Sequence, residues 1–152
     1  MFKLSNCSKL FPAIMIASFF LLNGCSKSAI EQAQQNVLQQ YFDDNILNQN
    51  YRVHLATDNG ADLTAQYNGY VFRLIKGTSF DGPVTATINT TVYNGSWSTN
   101  SDYSKLTITL PTTVAPFIFM SREWKFTHKA LPIMELAPWG TTEPKVLHME
   151  RL

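Results

Sequence analysis

Residues 84–99 read Val84-Thr85-Ala86-Thr87-Ile88-Asn89-Thr90-Thr91-Val92-Tyr93-Asn94-Gly95-Ser96-Trp97-Ser98-Thr99, and this stretch decides the fold class. Val84, Ala86, Ile88, Thr90 and Val92 alternate with mostly threonine and asparagine, the period of a strand with one buried face. Asn94-Gly95 follows, a dipeptide suited to a two-residue hairpin turn. Trp97 then belongs to a return strand.

The same period recurs on both sides. Upstream, Tyr51, Val53 and Leu55 alternate with Arg52, His54 and Ala56 up to a turn at Asp58-Asn59-Gly60. Tyr70-Val71-Phe72-Arg73-Leu74 is a second strand, and Phe80-Asp81-Gly82-Pro83 reads as the next turn. Downstream, Asn100-Ser101-Asp102 turns into Leu106, Ile108 and Leu110. Trp124, Phe126 and His128 alternate after a less regular stretch at 111–122. Residues 133–137 form a short strand after Pro132, Pro138-Trp139-Gly140 opens a loop, and 146–152 make the last strand. About eight strands joined by tight turns predict an antiparallel meander. Eight suit closure into a barrel whose interior is filled by side chains or holds one small ligand. An open β-sandwich is the alternative, which strand number does not separate. Trp97 and Trp124 fall on the apolar phase and are expected in the core.

The chain opens with Met1-Phe2-Lys3 and Lys9, then an apolar run at 10–22 broken only by Pro12 and Ser18, then Leu22-Asn23-Gly24-Cys25. A basic start, a short apolar run and a small residue before a cut are the parts of a secretory signal. The run is short for a membrane span, which needs about 20 residues. The Leu22-to-Cys25 pattern resembles the lipobox of bacterial lipoproteins. That resemblance implies cleavage before Cys25 and acylation of it, palmitate included. Ser28 and Glu31 match a capping box. Ile30, Val37, Leu38, Tyr41 and Phe42 then fall near one helical face, and Asp43-Asp44-Asn45 ends the helix. The organisation is thus a signal peptide at 1–24, a lipidated N-terminus and helix at 25–49, and a β domain at 50–152.

Cutting before Cys25 leaves 128 residues with 10 basic against 11 acidic side chains, enough for one core. Without a basic stripe, nucleic acid is not an expected partner. Cys7 leaves with the signal and Cys25 is acylated, so no thiol remains for a disulfide, a metal or nucleophilic chemistry. His54, His128 and His148 show no metal-ligand spacing, and no G-x-S-x-G elbow is present. No catalytic residue, metal site or cofactor is therefore assigned, and the protein is not read as an enzyme. Asp43-Asp44 reads as a solvated helix end. The sequons at Asn89 and Asn94 read as chance in a threonine- and asparagine-rich strand. The apolar segment 114–120 stands where a polar loop belongs. Its Phe117, Phe119 and Met120, with Trp139 of the later loop, are the candidate ligand contacts at a barrel mouth. The competing reading is a plug packed onto the barrel end.

Tyr70-Val71-Phe72, Asp81-Gly82, Val84-Thr85-Ala86, Gly95-Ser96-Trp97, Lys105-Leu106-Thr107-Ile108, Glu123-Trp124-Lys125-Phe126, Ile133-Met134-Glu135-Leu136 and the closing 147–152 together resemble the small lipocalin-like lipoproteins of Gram-negative bacteria. The resemblance covers most of 50–152. In lipocalins proper a Gly-x-Trp lies on the first strand, whereas here it is mid-chain and the first strand carries Tyr51. The resemblance implies a barrel and a loosely defined binding role. Two partner classes follow, a small apolar ligand or another envelope protein, in addition to the membrane reached through acylated Cys25. Ser26, in place of an aspartate, points to the outer membrane. Lys27-Ser28-Ala29-Ile30 lacks an acidic export pair, which points to the periplasmic face.

Overall fold

A computed structural model describes residues 22–129 and 131–152, with side chains from 28 onward. Most of the secretory-signal reading, residues 1–21, lies outside the described residues, as does the side chain of Cys25. The chain divides into two units at Val37/Leu38.

Helix α1 spans Leu22–Asn45. In the first unit it is solvated, with Ile30 58% and Val37 67% exposed. Gln32 Nε2 donates to Asn36 Oδ1 one turn on, at 3.1 Å. The helix is already running at Leu22, so the Ser28–Glu31 pattern lies inside it and does not begin it. No proline separates 22 from 28 to break it. The C-terminus is closed in the second unit. Asn45 Nδ2 donates to Tyr41 O, Ile46 and Leu47 N–H both reach Phe42 O, and Asn48 takes a left-handed φ of 59°. Asparagine tolerates that conformation better than other side chains do.

The barrel follows in chain order: β1 (Asn50–Asp58), β2 (Ala61–Asp62), a 3₁₀ turn (Thr64–Tyr67), β3 (Tyr70–Leu74), β4 (Asp81–Ile88), β5 (Thr91–Thr99), β6 (Lys105–Thr109), helix α2 (Ala115–Met120), β7 (Glu123–His128), β8 (Ile133–Pro138) and β9 (Lys145–Arg151). All pairings are antiparallel. β9 returns to β1, from Tyr51↔Arg151 to Asp58↔Lys145. Eight strands therefore close on themselves, and two-residue β2 lies against the far end of β1. Closure excludes the open sandwich. A helix followed by a closed eight-stranded antiparallel barrel is lipocalin-like in the general sense.

Two turns fall elsewhere than the dipeptides suggest. The β4–β5 turn is Asn89-Thr90, closed by Ile88↔Thr91, with Asn89 at φ 52°. Asn94-Gly95 lies inside β5, opposite Thr85 and Val84. Gly95 is there for space: an added Cβ would stand 2.0 Å from Thr109 O. Phe80-Asp81-Gly82-Pro83 is likewise not a turn, since β4 starts at Asp81. The loop before it is closed by Thr78 N–H to Asp81 O and Thr78 Oγ1 to Asp81 Oδ1, both 2.8 Å. Gly82 pairs with Trp97, and a Cβ on it would stand 2.1 Å from Ile75 O. Glycines of this kind let barrel strands bend against their neighbours.

Alternation sends Tyr51, Phe72, Val84, Leu106, Leu136 and Leu147 inward, and Trp97 and Trp124 are 1% and 0% exposed. Rings of that size remove about 150–250 Å² each from water, roughly 4–6 kcal/mol gross at ~25 cal/mol/Å², before conformational entropy is subtracted. With no cysteine pair in the barrel, packing is what holds the fold.

Candidate functional site

The two ends of β5 locate the two mouths of the barrel. Near its end, Phe42 from the last turns of α1 inserts between Trp97 (5.8 Å between ring centroids), Tyr103 (5.0 Å) and Phe126 (6.0 Å, edge-on). Near its start, Phe117 from α2 inserts between Tyr70 (5.5 Å) and Tyr93 (5.2 Å), edge-on to both. Each mouth is thus closed by a phenylalanine carried on a helix. Edge-to-face rings of this kind add about 0.5–1.5 kcal/mol beyond area.

At the first mouth, polar groups hold α1 in place. Tyr41 OH donates to Lys129 O at 2.5 Å, and Gln39 Nε2 to Ser79 Oγ at 2.8 Å. Asp43 is not merely solvated: its Oδ2 pairs with Lys76 Nζ at 2.7 Å, tying the helix end to the β3–β4 loop. Its Oδ1 is buried without a partner. Lys129 Nζ donates to Tyr103 O and stands 4.9 Å from the Phe126 centroid. Burial pushes the Lys129 ammonium below the ordinary lysine range, against the pull of Asp102.

At the second mouth, Pro116 in the first turn of α2 suits a helix start. Tyr67 OH donates to Pro116 O at 2.7 Å, and burial raises that phenol well above the ordinary tyrosine range. Trp124 Nε1 donates to Met120 O at 3.0 Å. Arg122 Nε donates to Phe119 O at 2.7 Å, with its guanidinium 5.3 Å from the Phe119 centroid and 5.5 Å from that of Trp124.

The four sequence candidates therefore separate. Phe117, Phe119 and Met120 are 0%, 6% and 0% exposed, so they form the inner face of α2 packed into the barrel. Ile118, which the reading passed over, is the large apolar residue that the helix exposes, at 58%. Trp139 is half-buried, its backbone N–H donating to Glu123 O and Lys105 Nζ standing 5.7 Å from its ring centroid.

The sequence reading also missed a seam. β1 and β3 pair only at Asn50↔Arg73 and Tyr51↔Phe72. Beyond that point the strands diverge, and a cleft of about 360 Å³ opens between Arg52, His54, Tyr67, Asn68, Gly69 and Tyr70. Arg52 is 2.6 Å from Glu150, and His54 Nδ1 is 3.5 Å from the same carboxylate oxygen. Asn68-Gly69, with Gly69 at φ +81°, was the legible sign of the turn beside it. A second cleft of about 520 Å³ lies over β4–β6, lined by Ser96, Ser98, Thr107 and Thr109 above Trp97.

Among the described residues, no three histidine, cysteine or acidic side chains stand together in a metal-holding group. No helix among them is long and apolar enough to cross a membrane. No protein-family model, curated protein or solved structure matches the chain.

Proposed function

We propose that this chain is a lipid-anchored protein of a bacterial envelope, held in the outer membrane through acylated Cys25 on the periplasmic face, and that its barrel works as a filled interaction module. The closed barrel is compatible with ligand binding in general. The observation that carries the narrower reading is the pair of plugs, Phe42 and Phe117, over an interior already occupied by Trp97, Trp124, Tyr51 and Phe72. A small-molecule pocket of ordinary size needs about 300–1,000 Å³ of concave space. Binding inside this barrel requires a plug to leave. The faces open to recognition include the seam beside β1 and the hydroxyl-lined cleft over β4–β6, which suit another envelope component.

A second reading is supported by α2 itself. It has six residues and no side-chain cap at Val114, so few backbone hydrogen bonds oppose its opening. An apolar ligand would enter by displacing Phe117, with Phe119, Met120 and Trp139 at the mouth.

Two experiments test these readings. Cys25→Ser, followed by membrane fractionation and metabolic acyl labelling, tests the anchor: continued maturation and membrane retention overturn it. Native mass spectrometry of the protein from its own cells tests the interior. An empty barrel supports the filled module. A stoichiometric apolar passenger, loosened by Phe117→Ala, overturns it in favour of the ligand reading.

A further inference from the structure

The three histidines of the chain all lie on strands, and the pairing registers place two of them on either side of one carboxylate. Glu135 on β8 is directly opposite His128 on β7 and directly opposite His148 on β9. Glu135 and His148 each sit between buried neighbours, Met134 and Leu136 in one case and Leu147 and Met149 in the other, so both project from the outer face.

His128 joins them only because of a bulge. The β7–β8 ladder runs in register to Phe126↔Leu136 and then shifts, so that His128 meets Glu135. Continued without the shift, that register would have set Thr127 against Glu135 and His128 against the buried Met134, on the inner face. The bulge therefore sets His128 on the outer face, at the ladder position opposite Glu135. Bulges serve to re-aim a side chain in this way, at the cost of local ladder pairing.

From this juxtaposition we infer a surface site for a divalent first-row transition ion such as Zn²⁺, formed by His128, Glu135 and His148. Neighbouring strands are about 4.8 Å apart, and directly opposed Cβ atoms about 4.5–5.5 Å. An ion above Glu135 would thus be about one strand spacing from the backbone of a histidine on each side. Two imidazoles and one carboxylate are a ligand set that zinc accepts, with water completing a tetrahedron. The three side chains do not converge in the structure. His128 is exposed and the other two are half-exposed, so the site closes by rotation about side-chain bonds over a fixed backbone register. Lys125, opposite Ala137 on the same face, opposes a cation and keeps the affinity modest. Glu150, further along β9, is already engaged by Arg52.

The test is calorimetric titration of the metal-stripped full-length protein with Zn²⁺, alongside Co²⁺ titration read by visible absorption. The expected result is saturable one-to-one binding in the micromolar range, with a Co²⁺ spectrum of low coordination number. His128→Ala and His148→Ala should each weaken it about tenfold or more, and Glu135→Gln severalfold. His54→Ala, outside the set, should change it less than about twofold. All four substitutions are on the outer face, and thermal melts confirm that each variant is folded. Absence of saturable binding below about 1 mM overturns the site. So does equal loss in His54→Ala, or unchanged binding in folded His128→Ala.

Discussion

The indole N–H of Trp97 donates to the carbonyl oxygen of Ile75 at 2.7 Å, across a position where only Gly82 leaves room. A core ring, a loop carbonyl and a strand glycine are thereby one structural unit. Trp97→Ala should cost roughly 3–5 kcal/mol in denaturant unfolding. Trp97→Phe should keep part of the ring packing but strand the Ile75 carbonyl, an added penalty of about 1–3 kcal/mol. A cost near zero for both places the ring outside the core.

Gly95→Ala separates crowding from backbone conformation. Its Cβ would meet the Thr109 carbonyl at 2.0 Å, whereas Gly140, at φ +69°, has open space around it. Gly140→Ala should cost about 1 kcal/mol from left-handed backbone strain. Gly95→Ala should cost more, at or above about 3 kcal/mol, because a backbone atom has to move. Equal costs overturn the close-approach argument.

The plugs predict a contrast within one helix. Phe117→Ala should destabilise by about 3–5 kcal/mol, as should Phe42→Ala at the other mouth. Ile118→Ala, on the exposed face of α2, should stay within about 0.5 kcal/mol. Unfolding curves with unchanged slope distinguish lost packing from a change in cooperativity.

Asp58 and Lys145 give a pH dependence. Their oxygen and nitrogen are 2.6 Å apart. The hydrogen bond from Lys145 holds the Asp58 carboxyl below its ordinary range, and the same bond raises the lysine. A lowered acid adds stability that is present above its unfolded pKa and is lost as pH falls through the folded one. A raised amine adds stability that is present below its unfolded pKa and is lost as pH rises through the folded one. The difference in melting temperature between wild type and Asp58→Asn should therefore be greatest from about pH 5 to about pH 10 and shrink outside that window. A difference independent of pH removes the ion pair as its cause.

Most strands and much of their inward phase were legible because alternation is a local signal: Trp97 and Trp124 are buried where their period puts them, but Val92 is 51% exposed, and the bulge in β1 buries Ala56 in place of Leu55. Turn chemistry misled where glycine served another purpose. Asn94-Gly95 has hairpin composition, but the neighbour that requires Gly95 is Thr109, fourteen residues on and across a strand pair. Composition near residue 95 carries no trace of it. The Asn89 turn was hidden because Asn89-Thr90 continues an alternating run. The segment 114–120 was correctly marked as unusual. Whether its aromatics face a ligand or a core depends on Tyr70 and Tyr93, which only closure of the barrel brings near. The bulge that turns His128 outward is a property of pairing with β8, and β7 alone gives no sign of it.

Closure of β1 on β9 joins Tyr51 to Arg151, and this sets an order of events during synthesis. A chain made from its N-terminus exposes the β1 edge from the moment it emerges, and no local partner protects most of it. The partner strand is made last of the nine, so the barrel stays an open sheet with two free edges until then. Contacts of such long sequence separation slow folding, and free edges invite pairing with other chains. Over that interval the nascent protein depends on whatever shields β1, and a chain interrupted before Lys145 is left with an edge that only another molecule can satisfy.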